Sequence, residues 1–279
     1  MKITENGKNL VISELDCFSL KDTLNCGQCF RWDEREDGSF FGVVQNKTLN
    51  LKQENDTLTL FDTSKTDFLD FWQEYFDFNL NYTEIKSFLS KDEVMQKASA
   101  FAGGIHILKQ DPWETLCSFI ISQNNNIPRI KGIVSRLCET FGDKITDGVY
   151  SFPSYEVIAN QTVETLAPLR SGFRAKYILD AAKKLQSGEV SIERIKTADF
   201  SNAKEELMKI LGVGTKVADC ALLYGFYRLE AFPEDVWIKR AMASLYPNGL
   251  PEEYIPYAGI AQQYLFHYVR NFPETVKIP

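Results

Sequence analysis

Over the first hundred residues the apolar side chains fall in short runs, Leu10-Val11-Ile12, Phe40-Phe41-Gly42-Val43-Val44, Thr48 to Leu51 and Thr57 to Phe61, separated by Gly, Asn and Asp. Runs of this length between turn-forming residues predict strands of a twisted antiparallel sheet. Near residue 100 the pattern changes to helical spacing. Two stretches already show it earlier: Thr66 to Phe76, and Ser90 to Phe101, which carries the chain from the sheet into the helical part. The expected class is α+β. An antiparallel β-sheet domain with flanking helices occupies residues 1–98, and mostly α-helical domains occupy 99–279. A last helix is expected over Tyr257 to Asn271.

The densest signal lies at Leu211-Gly212-Val213-Gly214-Thr215-Lys216 and Phe232-Pro233-Glu234-Asp235. A helix over Asn202 to Ile210 is broken by two glycines. These permit positive φ in a tight turn, and Thr215 is a good N-cap for a second helix, Lys216 to Phe226. Such a helix-hairpin-helix turns free backbone N–H groups outward and can hold a phosphate without reading a base. Taken alone, Gly-x-Gly is more often an ordinary helix C-cap. Lys216 sits near the helix start, where the positive end of the dipole favours the neutral amine that a nucleophile needs. Its plainer role is an i,i+3 pair with Asp219. Asp235 opens a helical run, Val236 to Leu245, as an N-cap. A carboxylate held by backbone N–H groups can also stabilise the charge that develops as a glycosidic bond breaks.

Composition sharpens this picture. The net charge of −7 argues against a nucleic-acid partner until it is located. Residues 1–100 carry 11 basic against 18 acidic side chains, and the remainder carries 20 of each. Arg129, Lys131 and Arg136, and then Arg170, Arg174, Lys176, Lys183 and Lys184, form locally basic stretches suited to a DNA face or to a solvated helix surface. The cysteines, at 17, 26, 29, 117, 138 and 220, lie mostly in apolar surroundings, as reduced thiols do. Cys26-x-x-Cys29 would need two further ligands for zinc. The two histidines, His106 and His267, lack finger spacing, so no metal and no cofactor is expected. No apolar run approaches ~18 residues and no leader-like segment is present, so the expectation is a cytoplasmic, nucleoid-associated prokaryotic protein with no membrane partner.

The hairpin, lysine, proline and aspartate resemble the helix-hairpin-helix/Gly-Pro-Asp superfamily of DNA glycosylases. Asp111-Pro112, Ser122-Gln123-Asn124-Asn125-Asn126-Ile127-Pro128-Arg129, Gly172-Phe173-Arg174-Ala175, Cys220 and Tyr257-Ala258-Gly259 with Gln262 and Phe266 extend the resemblance to the 8-oxoguanine DNA glycosylase/AP lyase family, over most of the chain and in order. The resemblance implies a helix-hairpin-helix glycosylase core and a monomer that acts on double-stranded DNA containing oxidised guanine. Lys216 would attack C1′ and form a Schiff base, after which β-elimination nicks the strand, with Asp235 supporting charge and proton transfer. Gly212, Val213 and Gly214 would form the phosphate-binding hairpin.

For the lesion base the resemblance implies four contacts. Cys220, one helical turn beyond Lys216, would pack on the flipped base. Gln262 would meet the Watson–Crick edge and Phe266 the ring plane, with the helix from Tyr257 to Asn271 packed at the lesion pocket. Gly27 would present its carbonyl to the N7–H that oxidation creates, where unmodified guanine offers only an acceptor. Phe173 would wedge between bases, and Asn124, Arg129 and Arg174 would hold the orphaned cytosine. From their residue types alone, Cys220 is a small buried side chain, Gln262 and Phe266 are core and rim, and Gly27 is a turn glycine. Trp237 departs from the family, which often has histidine there, and leaves one phosphate contact open. The rival readings are a monofunctional glycosylase for another damaged base, which would release base without a covalent intermediate, and a non-catalytic hairpin module, which would bind without cleaving.

Overall fold

The computed structural model describes residues 1–276. Strands β1 (Lys2–Asn6), β2 (Asn9–Ser13), β3 (Trp32–Glu34), β4 (Phe40–Val44), β5 (Lys47–Glu54) and β6 (Thr57–Phe61) form one antiparallel sheet in the order β1-β2-β6-β5-β4-β3. Pairing Leu10 with Leu60, Ile12 with Leu58 and Phe40 with Leu51 puts these apolar side chains on one buried face. A one-residue slip would turn that face to water, so the alternation specifies the register. β1 and β3 lie outside the strands expected from sequence. β1 is exposed along nearly all its length, and β3 buries only Trp32, so neither carries an apolar pattern.

The stretch expected as one helix over 66–76 is helical but not uniform. Lys65–Asp67 and Gln73–Tyr75 are α-helical and flank a π-helical turn, Phe68–Trp72. Phe68, Trp72 and Phe76 recur every four residues, and the wider π turn keeps them in line beneath the sheet. The connecting helix runs over Glu93–Ala102, capped by the Asp92 carboxylate on the Met95 N–H at 2.9 Å. A separate helix, Tyr82–Leu89, precedes it. The same carboxylate accepts the hydroxyls of Tyr246 and Tyr254, each at 2.9 Å, and ties the connecting helix to the far end of the chain.

The larger core is helical. The apolar helix Pro112–Ser122 packs against Thr215–Gly225, and the connecting helix packs against the last long helix, Ala258–Asn271. The turn between a short helix, Leu20–Asn25, and β3 is braced onto this body by Gln28, whose amide donates to the carbonyls of Thr23 at 2.9 Å and His106 at 2.8 Å while its oxygen accepts the Leu108 N–H at 2.9 Å. That bracing holds Gly27 against the helical part. Among the described residues no helix is long and apolar enough to cross a membrane.

Candidate active site

The hairpin forms between Phe200–Met208 and the lysine helix, Thr215–Gly225. Gly212 is left-handed at φ +79°, and a Cβ there would lie 2.4 Å from the Tyr177 ring, so both the turn and the packing demand glycine. Two details differ from the sequence expectation. Gly214 is extended, at φ −99° and ψ −176°, because one left-handed residue suffices to reverse the chain. Gly214 rather than Thr215 is the N-cap, and no side chain caps the helix. Its first-turn N–H groups therefore stay available to an outside acceptor. Val213 is buried and its N–H bonds to the Ile210 carbonyl at 3.0 Å, while the Leu211 N–H bonds to the Asp180 carboxylate at 2.7 Å.

Lys216 is the second residue of its helix, half-buried, with Nζ 5.3 Å from the centroid of the Phe119 ring. The i,i+3 alternative does not form: Asp219 pairs instead with Lys204 at 2.8 Å, because Asp219 is buried on the side of the preceding helix. Among the described residues Lys216 has no acidic partner within ion-pair distance. Cys220 lies one turn on and is almost fully buried. Burial pushes its thiol up to about 11 even though the neighbouring Lys216 works the other way. Across the cavity the aspartate helix, Val236–Leu245, starts under Asp235, whose carboxylate accepts the Ile238 N–H at 2.8 Å. Gln262 is buried, with its Nε2 donating to the Pro233 carbonyl at 3.0 Å. Phe266 is half-buried beneath the Arg270 guanidinium, 5.2 Å from its ring centroid.

These elements enclose a cavity of about 600 Å³. Gly27, Asn124, Gly214, Lys216, Cys220, Asp235, Gln262 and Phe266 all line it, together with Phe30, Phe119, Tyr224, Gln263, Lys239 and Arg270. The second group escaped sequence reasoning. Phe119 and Tyr224 sit in continuous apolar helices with nothing to distinguish them, and Gln263 is hidden beside Gln262.

Arg129, Phe173, Arg174, Gly212 and Val213 are not on the cavity wall. Phe173 is 48% exposed at a turn and meets Tyr177 edge-on at 5.7 Å, so Tyr177 touches both the Phe173 turn and Gly212. Asn124 is exposed and left-handed at φ +48°. Arg174 is only 3% exposed, and its guanidinium donates to the backbone carbonyls of Gln123 at 2.9 Å, Asn124 at 3.1 Å and Ser171 at 3.2 Å. It thus joins the Asn124 loop to the Phe173 turn. Arg129 is exposed at the start of the helix Ile127–Phe141. The basic stretches divide in use. Lys131 pairs with Asp33 at 3.0 Å, Arg136 donates to the Leu169 carbonyl at 2.9 Å and Lys184 lies 3.4 Å from Asp180, all holding the fold together.

Residues 9–116 match the 8-oxoguanine DNA glycosylase N-terminal domain, and residues 117–253 match the HhH-GPD superfamily of base excision DNA repair proteins. A solved structure of MBOgg1 in complex with a low affinity DNA ligand is 46% identical, superposes with a TM-score of 0.90, and covers 98% of this chain and 99% of its own. The chain belongs to the 8-oxoguanine DNA glycosylase family. Another structure similar to this family member is the Clostridium acetobutylicum 8-oxoguanine glycosylase/lyase with duplex DNA containing cytosine opposite 8-oxoguanine, at 37% identity and a TM-score of 0.90, covering 98% of this chain and 99% of that one. The N-glycosylase/DNA lyase of Saccharomyces cerevisiae is 35% identical over 253 residues, covering 79% of this chain and 66% of the yeast protein. The match thus spans just under two thirds of the yeast protein's length.

In this 8-oxoguanine glycosylase family member Trp237 turns from the cavity. It packs with Leu265 and Val269 in a third apolar cluster, and the Arg240 guanidinium lies 5.5 Å from its ring centroid.

Proposed function

We propose that this protein is a bifunctional DNA glycosylase/AP lyase that removes 8-oxoguanine from duplex DNA in base excision repair. One observation carries the reading: Lys216, an amine with no acidic partner among the described residues, shares a cavity with a helix-capping carboxylate, Asp235, and with Gly27, Cys220, Gln262 and Phe266. The cavity matches the volume of a small-molecule site, and a base inside a duplex reaches it only by being flipped out.

In the proposed reaction Nζ of Lys216 attacks C1′ of the flipped nucleotide. The glycosidic bond breaks with its electron pair leaving on the base, which takes up a proton, while the Asp235 carboxylate faces the positive charge that develops on the sugar. The aminal opens to a Schiff base between Nζ and C1′. Loss of a C2′ proton then expels the 3′ phosphate and nicks the strand. Burial keeps the Cys220 thiol protonated, so it packs on the base as a neutral surface.

The uncapped start of the lysine helix suits a backbone phosphate. Phe173, exposed at its turn, suits a wedge, and Asn124 and Arg129 suit the vacated space and the opposite base. For Arg174 the support is for positioning: its bonds to the carbonyls of Gln123, Asn124 and Ser171 set the loop that presents Asn124. On this reading the sheet region through residue 98 contributes Gly27, and the helical remainder contributes the chemistry. The protein works as a monomer on chromosomal DNA in a prokaryotic cytoplasm.

The test is borohydride trapping on duplexes carrying 8-oxoguanine opposite each of the four bases. A covalent adduct is expected, strongest opposite cytosine and absent in Lys216→Gln, which retains lesion binding. Free base without an adduct would favour a monofunctional glycosylase, and binding without either would leave a non-catalytic module.

A further inference from the structure

Gln262 does not stand alone. Its Nε2 donates to the Pro233 carbonyl at 3.0 Å, two residues before Asp235, and its Oε1 accepts Gln263 Nε2 at 2.8 Å. Gln263 is 3% exposed, and its Nε2 donates also to the Tyr224 hydroxyl. A backbone carbonyl only accepts, so Gln262 must turn its amide nitrogen toward Pro233 and its oxygen toward Gln263. That oxygen in turn requires the nitrogen of Gln263. The polarity of both amides thus follows from one carbonyl of the turn that carries Asp235. Gln263 Oε1 is left buried with no partner among the described residues. An orphan of this kind is costly to bury. Reversing the Gln263 amide would give it the Tyr224 hydroxyl as a donor, but would set two amide oxygens against each other at 2.8 Å.

Polarity matters because the two oxidised purines differ in it. 8-Oxoguanine presents an acceptor at O6 and a donor at N1–H, whereas 8-oxoadenine presents a donor at N6–H and an acceptor at N1. Both carry the N7–H that Gly27 would accept. With the base plane held by Cys220 and Phe266, an amide free to reverse could satisfy either edge. A fixed amide satisfies one.

We propose that Gln263, held by Tyr224, is a positioning residue that, together with the Pro233 carbonyl, holds the Gln262 amide in the direction that selects 8-oxoguanine over 8-oxoadenine. This rests on the reading of Gln262 as the base-edge contact.

The experiment measures single-turnover excision by the full-length protein on duplexes with 8-oxoguanine or 8-oxoadenine, each opposite cytosine. Nicking of an abasic-site duplex, which has no base to read, is the reference for each rate. Gln263→Met removes the donor at similar length, and Gln263→Glu places an acceptor against Gln262 Oε1. The 8-oxoguanine to 8-oxoadenine ratio is expected to fall several-fold in Gln263→Met, where the Pro233 carbonyl alone still directs Gln262, and roughly tenfold or more in Gln263→Glu, whose carboxylate favours the reversed amide. An unmoved ratio in both variants, or losses on both lesions in step with abasic-site nicking, would overturn the proposal by showing a merely structural role. A wild-type protein that excises neither lesion would overturn the glycosylase reading and this proposal with it. Wild-type excision of 8-oxoguanine with an unmoved ratio in both variants would overturn this proposal alone.

Discussion

The lysine helix begins at Gly214 with no side chain over its first turn, whereas the aspartate helix begins under the Asp235 carboxylate, which bonds the Ile238 N–H at 2.8 Å. Both starts line one cavity. Each presents unpaired N–H groups and the positive end of a dipole, and the difference lies in what satisfies them. At Asp235 the acceptor belongs to the protein, so a carboxylate is fixed in place on the wall. At Gly214 the acceptor must come from outside, so the same physics makes a place for an anion. On the proposed function, one helix start supplies a charge to the site and the other a vacancy for the charge of a substrate.

Asp235 has two duties on this account, and substitution can separate them. Asparagine caps a helix nearly as well as aspartate, so Asp235→Asn should cost less than ~1 kcal/mol of stability while slowing base release about 10²-fold. Asp235→Ala should show a similar rate loss together with about 1 kcal/mol of destabilisation. Single-turnover kinetics alongside thermal unfolding make the distinction. If Asp235→Asn kept the wild-type rate, the carboxylate would be a cap only, and the contrast between the two helix starts would lose its chemical content.

The hairpin is built to keep its own helix start open, and Gly212 is where it is most easily broken. Its φ of +79° disfavours any side chain, and a Cβ would strike the Tyr177 ring at 2.4 Å. Gly212→Ala should therefore cost more than about 1 kcal/mol in denaturant unfolding. DNA binding should weaken as well, since Tyr177 also supports Phe173 at 5.7 Å. A neutral result would mean that the hairpin and the Phe173 turn are not coupled through Tyr177.

How much of this was legible in the sequence depends on whether a residue's pattern or its partner decides its role. Four strands and the helical body were readable, because alternation and helical spacing state which face is buried. β1 and β3 were not, because an edge strand that buries almost nothing leaves no period to detect. Lys216 and Asp235 stood out in the sequence as candidates, and Asp235 is the cap its position suggested. The choice of Gly214 over Thr215 as N-cap was invisible, since it follows from the single left-handed residue at 212. Asp219 could not be told from a partner of Lys216 until the Lys204 contact was known. Gly27, nearly two hundred residues before Lys216, came to the site through resemblance and not through any local physics. Gln263 and Tyr224 carry no signal in isolation, because an amide beside an amide acquires meaning only through the Pro233 carbonyl.

The contrast between the helix starts can also be narrowed by making the open one resemble the closed one. The extended backbone at Gly214 accepts any residue, and a Cβ there meets nothing within 4 Å. Gly214→Asp should thus place a carboxylate over the first turn and raise stability by a few tenths of a kcal/mol, the usual difference between glycine and aspartate as caps. The same carboxylate would occupy the N–H groups that a phosphate would use and would repel it. Binding to undamaged duplex should weaken several-fold, and the slope of log affinity against log salt should shrink by about 0.9, the loss of one phosphate contact. The sign is what matters: a more stable protein that holds DNA less well is the expected result if the vacancy is functional. Equal or stronger binding, with the salt slope unmoved, would mean that DNA does not use this helix start, and that the glycine at 214 serves the turn alone.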